Sequence, residues 1–172
     1  QKKEIPLYEK AKEALEGLMN LPKKEEIPTE YYARKKYHID NLKSLSLAFI
    51  QAVTDKFDRK LVFEQEILNG LADIIMEIYV MESTMLRLRK MEEMKDAESI
   101  SVYKDILDVA VYDACNLASK SGRDVANSFA EGEELDVFLK AVSVLTDPEK
   151  VNVKAARRRI ADHLIAENRY IF

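Results

Sequence analysis

The fold of this chain is decided by one long stretch, QEILNGLADIIMEIYVMESTMLRLRK, at residues 65–90. On a helical wheel, at about 100° per residue, the large apolar side chains of this region fall into two adjacent rows. The first row contains Phe63, Ile67, Leu71, Ile74, Ile78, Met81 and Met85. The second row contains Leu61, Leu68, Ile75, Tyr79 and Leu86. Because the two rows together are wider than a helix with one buried face needs, we predict a helix that is flanked on two sides.

Helical spacing of apolar residues continues on both sides of this stretch. The predicted long helices cover residues 29–55, 58–91, 99–131 and 131–145, and Asn152 is predicted to cap a last, shorter helix. No segment shows the sustained alternation of a β-strand. The connections are short, which favours antiparallel neighbours. We therefore predict an all-α fold: an up-and-down helical bundle of about four long helices, with short extra helices at both ends.

The composition is that of a globular protein with a sizeable core. The chain has 172 residues, of which 47% are apolar and 34% charged, and both fractions are ordinary for a soluble protein. A net charge of −4 gives no indication of nucleic-acid binding. Cys115 is the only cysteine, which excludes an internal disulfide and favours a reducing compartment. No apolar run approaches the roughly 18 residues of a membrane-spanning helix.

Two parts of unequal size are predicted. Residues 1–28 read as a connector and a short amphipathic helix, ended by Pro22. Residues 29–172 read as the helical bundle domain. Because the chain starts at Gln1 and enters the connector directly, we predict that these residues follow a piece of a longer protein.

Three acids of the central stretch project together, away from its apolar rows. They are Glu66, Asp73 and Glu77. A metal site in a helical bundle needs ligands that converge from more than one helix, commonly with Glu-x-x-His pairs. We therefore interpret these acids as a solvated polar edge.

The histidines do not supply the missing ligands. His38 and His163 are preceded, three residues earlier, by Lys35 and Ile160, so the chain has no Glu-x-x-His pair. One cysteine and two histidines are also too few for a structural zinc site of the usual kind. We predict no catalytic metal.

Glu82 differs from the other acids because it falls inside the apolar arc. A buried charge without a partner costs several kcal/mol. We expect Glu82 to meet a cation, either Arg89 two turns later or an arginine of another helix, or to lie at an interface. No second acid or nucleophile is placed to cooperate with it in catalysis. The sequence also lacks a Gly-rich phosphate loop and a Ser/His/Asp arrangement, so we predict no catalytic or cofactor-binding residue.

The central stretch resembles the extra C-terminal helical region of very-long-chain-type acyl-CoA dehydrogenases. The residues that carry the likeness are Gln65, Leu71, Ala72, Asp73, Ile75, Tyr79, Met81 and Arg87. The connector IPLYEKAKEALEGLM looks like the piece that leaves the dehydrogenase core, and the ending RRRIADHLIAENRYIF is similar to the C-termini of bacterial members. None of the core's flavin-binding or catalytic motifs matches a position here. Gln65, Leu71, Asp73, Glu82, Arg87 and Arg89 are therefore expected to be structural or packing residues.

The resemblance implies a larger parent enzyme. That enzyme would be a bacterial, cytoplasmic flavoprotein of fatty acid oxidation, an oxidoreductase that passes electrons from an acyl-CoA through FAD to an electron-transfer flavoprotein. This segment would hold no cofactor itself. It would pack on the catalytic core of the same chain and support a homo-oligomer, a dimer by our expectation.

Two other functions remain open on the sequence. One is a stand-alone helical bundle that acts as an interaction module or binds a small hydrophobic ligand or metal. The other is a membrane-surface module, which we do not favour because the charges of the first helix are mixed in sign. The predicted interface residues are Leu7, Leu15, Leu18, Tyr170 and Phe172.

Overall fold

The computed structural model describes residues 7–20, 26–94 and 97–168. Over these ranges the chain forms six α-helices and one 3-10 helix, and no strand. The α-helices are α1 (Leu7–Met19), α2 (Tyr31–Phe57), α3 (Gln65–Glu92), α4 (Ala97–Phe129), α5 (Gly132–Leu145) and α6 (Val153–Glu167). The 3-10 helix, Asp58–Phe63, joins α2 to α3. The predicted all-α class is confirmed.

Side chains cap the starts of α2 and α6. Glu30, one residue after the predicted start of this helix, caps α2, and its carboxylate accepts hydrogen bonds from the backbone N–H groups of Tyr32 (3.0 Å) and Ala33 (2.6 Å). The side chain of Asn152 accepts a hydrogen bond from the N–H of Ala155 at 3.1 Å, as predicted for the cap of α6. Such caps satisfy N–H groups that the helix itself leaves unpaired.

The predicted continuous helix from Asp58 is wrong in its first turn. Asp58 has a left-handed φ of 46°, which ends α2 and starts the 3-10 segment instead. Because α3 begins only at Gln65, Phe63 does not share the phase of the helical rows. Its side chain is 79% exposed, so its assignment to the first apolar row was wrong.

The core consists of two clusters stacked along the bundle. The lower cluster joins α1, the second half of α2, the beginning of α3, the end of α4 and α5. At its centre the rings of Phe49 and Phe138 stack with centroids 5.1 Å apart, and Phe129 meets Phe138 edge-on at 5.0 Å. The upper cluster joins the first half of α2 to α3 and α4. Aromatic pairs in these geometries stabilise a core by more than the burial of their surface area contributes.

The terminal helices lie on this bundle. α1 packs on α2 and α5 and buries Ala11 and Leu18. α6 packs on α4, where Arg157 binds Asp113 with contacts of 2.6 and 2.9 Å. Since α1 shares the lower cluster, the helix and the bundle form one packed unit in the described ranges. The domain boundary at residue 28 stays a prediction.

Candidate functional site

The acidic edge of α3 lies at the surface. Glu66 and Asp73 are exposed and Glu77 is half-buried. Partial burial raises the pKa of Glu77, and the nearby carboxylates of Asp113 and Asp73 raise it further. Within the described ranges no three His, Cys, Asp or Glu side chains lie close enough to hold a metal ion. Glu66 and Asp73 are solvated, as interpreted from the sequence, whereas Glu77 is partly withdrawn from water.

Glu82 does meet a cation, but a different one from those predicted. Its Oε1 lies 2.7 Å from Nζ of Lys43 on α2, and both side chains are about two-fifths exposed. Arg89 instead places its guanidinium over the ring of Tyr32, 5.5 Å from the centroid. The expected Glu82–Arg89 pair is therefore wrong, because Arg89 faces the first turn of α2 and Glu82 faces a later turn of the same helix.

The other packing residues divide between core and surface. Leu71 is buried in the lower cluster, whereas Gln65 and Arg87 are exposed. The proposed packing role of Gln65, Asp73 and Arg87 therefore concerns surface positions of α3 and stays a prediction.

The predicted interface residues occupy different environments. Leu18 is buried and Leu15 is half-buried against the bundle, so both contact the chain's own core here. Leu7 is 53% exposed. Tyr170 and Phe172 lie outside the described residues. A role of these five residues at an interface stays a prediction.

A buried charge cluster between α2, α4 and the segment after α5 was missed by sequence reasoning. Lys35 is fully buried, and its Nζ lies 2.6 Å from Asp108 and 2.5 Å from Glu149. Glu149 also pairs with Nε of Arg34 at 2.6 Å, and the hydroxyl of Tyr31 donates to Asp108 at 3.0 Å. A buried lysine is stable only when it is paired in this way. The cluster ties three distant segments together, and no spacing in the sequence indicates those pairings.

The neighbouring His38 and Cys115 are also buried. Desolvation lowers the pKa of His38, and neither ring nitrogen has a hydrogen-bond partner in the described part of the chain. Burial raises the pKa of the Cys115 thiol to about 12. A thiol that stays protonated at neutral pH is a poor nucleophile. His38 and Cys115 therefore act as packing residues of the core.

α3 carries exposed apolar side chains on the side away from α4. These residues are exposed by between 37 and 73%. They are Leu68 (37%), Ile75 (46%), Met76 (57%), Tyr79 (73%) and Leu86 (56%). All of them except Met76 belong to the second apolar row of the sequence pattern. We predicted that both apolar rows would be covered. The described residues of this chain cover the first row of α3 and leave most of the second row exposed.

Comparison with known proteins shows the family to which this bundle belongs. The family model described as "Acyl-CoA dehydrogenase, C-terminal domain" matches residues 41–143, which run from α2 into α5. The chain belongs to this family.

Relatives of this acyl-CoA dehydrogenase C-terminal domain are much longer. A protein of Bacillus subtilis (strain 168), described as a probable acyl-CoA dehydrogenase, is 30% identical over 169 residues, which are 98% of this chain and 28% of that protein. A crystal structure of an acyl-CoA dehydrogenase from Bacillus anthracis, complexed with FAD, superposes with a TM-score of 0.88 at 29% identity. That match covers 99% of this chain and 29% of the other. The C-terminal domain thus spans less than a third of either relative.

The described helices of this domain do not include a membrane span. None is both long and apolar enough to cross a bilayer.

Proposed function

We propose that this chain is the non-catalytic C-terminal helical domain of a bacterial, FAD-dependent acyl-CoA dehydrogenase of the very-long-chain type. It packs on the catalytic core of the same parent chain and supports oligomerisation. One observation carries the proposal: nearly the whole chain is matched by 29% of an acyl-CoA dehydrogenase that binds FAD. The flavin and the acyl-CoA site then belong to the remaining part of the parent.

The side-chain chemistry of the described residues supports a structural role. The buried Lys35 is neutralised by two carboxylates, and the buried Cys115 holds its proton. Acid and base groups that serve catalysis need to converge on a site where a substrate can bind. Here the buried charges converge on one another and link three segments of the bundle.

The exposed face of α3 supports a packing role. Contiguous apolar surface on a soluble domain marks a site of contact with protein or membrane. A domain that is one part of a larger cytoplasmic enzyme would use such surface to dock on its neighbours.

Absorbance spectroscopy of the purified segment tests the proposal. The segment alone should be colourless, should not retain added FAD, and should not oxidise fatty acyl-CoA with an artificial electron acceptor. The natural parent chain should be yellow and should oxidise long-chain acyl-CoA faster than short-chain acyl-CoA.

A parent chain truncated before this segment is the matched control. It should keep its flavin band while losing stability or changing its assembly state. A yellow segment, or acyl-CoA oxidation by the segment alone, would overturn the proposal.

A further inference from the structure

α2 buries an imidazole ring among charged side chains. The ring belongs to His38, which is 1% exposed, and neither of its nitrogens has a hydrogen-bond partner among the described residues. The ring of Tyr37 meets it edge-on, with centroids 5.4 Å apart. Burial of an unpaired polar ring costs free energy, and burial of an unpaired cation costs far more. The closed site therefore favours the neutral form of His38.

Two cations stand about one helical turn before His38 and share a carboxylate. Nζ of Lys35 and Nε of Arg34 lie 2.5 and 2.6 Å from Glu149, which follows α5. Nζ of Lys35 also lies 2.6 Å from Asp108 of α4. Because Glu149 binds both cations of α2, it ties the chain after α5 to that helix.

Residues 146–152, which we call the α5–α6 linker, join those two helices. Burial lowers the pKa of His38; the carboxylates of Glu149 and Asp147 in the linker oppose this shift, and the two cations of α2 add to it. Asp147 is exposed, so water screens its charge. The ring of His38 is therefore neutral in the folded chain near neutral pH.

A proton on His38 would create a conflict inside the closed site. Glu149 already binds two cations, and an imidazolium would compete with them for it. If the imidazolium took Glu149, the buried ammonium of Lys35 would keep only Asp108; if it did not, a third cation would stay buried without a partner. Both arrangements are costly. Separation of the linker from α2 relieves the conflict, because water then reaches the charged ring.

Cys115 lies in reach of the same charges. It is fully buried on α4, and the charges of Asp147, Lys35 and Glu149, which act on His38, act on its thiol as well. It is also the only cysteine of the sequence. Movement of the linker away from α2 would therefore bring solvent to a single, chemically distinct side chain.

We propose that His38 is a proton-sensitive catch: protonation of its buried ring releases the α5–α6 linker from α2 and gives solvent access to Cys115. The open form binds more protons at His38 than the closed form does, so acid favours opening. The closed form is fully favoured above the ordinary histidine pKa of about 6.5, and this advantage is lost as pH falls below that value.

Labelling of Cys115 with a thiol reagent, from about pH 5 to about pH 8, measures the opening. The labelling rate of the original chain is divided by that of His38→Leu at the same pH, which cancels the change in the thiolate fraction. The ratio should be constant above about pH 7. Below about pH 6.5 it should rise by up to about tenfold for each pH unit, because one proton drives the opening.

His38→Gln is the second reference variant. It keeps a polar side chain at this position but cannot take up a proton in this pH range, so it should give the same pH-dependent ratio as His38→Leu. Far-UV circular dichroism checks that each variant is folded. Agreement of the two ratios shows that the proton, and not the loss of a polar group, opens the site.

NMR observes the ring directly. In a His163→Gln chain His38 is the only histidine, and its ring protons should keep the chemical shifts of the neutral form as pH falls through about 6.5. This measurement needs no substitution at the site.

Two outcomes would overturn the proposal. One is a labelling ratio that does not change with pH, and the other is a His38 ring that titrates near about pH 6.5 with no gain in the labelling of Cys115. The proposed function is tested separately, because flavin binding by the segment would contradict that function and would leave the catch unaffected.

Discussion

Neighbouring residues on the two faces of α3 have opposite environments. Ile74 is fully buried while Ile75 is 46% exposed, and Ile78 is 8% exposed while Tyr79 is 73% exposed. The residue types on the two faces are alike, so hydrophobicity alone does not distinguish them. The difference arises because α2 and α4 cover one face, and the described part of the chain supplies no element for the other. A helical pattern therefore shows which faces are apolar, but not whether the same chain covers them.

The largest expected effect comes from comparing a buried lysine, Lys35, with a partly exposed one, Lys43. Lys35→Ala should destabilise the chain by about 3–5 kcal/mol, because it leaves the carboxylates of Asp108 and Glu149 without their buried partner. Lys43→Ala breaks the half-exposed pair with Glu82 and should cost less than about 1 kcal/mol. Urea denaturation measures both free energies of unfolding. Similar losses for the two lysines would show that the burial of Lys35 is not what stabilises its cluster.

The next prediction compares the two faces directly. Ile74→Ala or Ile78→Ala should lower the free energy of unfolding by about 2–5 kcal/mol, the usual cost of emptying a core site. Ile75→Ala should cost below about 0.5 kcal/mol when the chain is dilute enough to be monomeric. Chemical denaturation of the three variants at low concentration is the measurement. If Ile75→Ala were as costly as Ile74→Ala, the two faces of α3 would have been assigned wrongly.

The smallest expected effect concerns the acidic edge. Folding raises the pKa of Glu77, so ionisation of this carboxyl opposes folding. Glu77→Gln should therefore match the original chain in acid, where Glu77 is protonated in both states. As pH rises through the range of the raised pKa, the variant should become more stable, by less than about 0.5 kcal/mol at neutral pH. Glu77→Ala should likewise change stability by less than about 0.5 kcal/mol.

Glu66→Gln serves as the control for Glu77→Gln, because Glu66 is exposed on the same edge. Denaturation curves across the acid range would show no separation between this variant and the original chain. If the Glu77→Gln variant instead lost stability relative to the original chain as pH rises, folding would favour the ionised form of Glu77.

Local signals in the sequence predicted the helices well. Apolar spacing located each long helix, and Asn152 was identified as a cap because capping depends on a few adjacent residues. The prediction for the first turn after Asp58 was wrong, because a left-handed backbone at a single residue changes the helical phase without changing the composition. That change moved Phe63 from a predicted core row to the surface.

The pairing of charges was the least predictable feature. Lys35 and Glu149 are 114 residues apart, and only the folded arrangement of α2 and the segment after α5 brings them together. Glu82 was expected to need a cation, and it has one, but its partner lies on α2 for the same reason. The second apolar row was recognised as a face to be covered. Its partner could not be identified, because no local pattern shows where a second helix will come from.

Hydroxyl-radical footprinting of Tyr79, with Tyr8 as an internal reference, tests most directly whether the outer face of α3 is free in this chain and covered in the longer parent chain. The two rings are similarly exposed, at 73% and 66%. In dilute solutions of this chain alone both rings should be oxidised at similar rates, and in the parent chain Tyr79 should be oxidised more slowly. Protection of Tyr79 in this chain alone at the lowest concentration would contradict the assignment of the free face. Equal reactivity of Tyr79 in the two chains would contradict its covering by the rest of the parent.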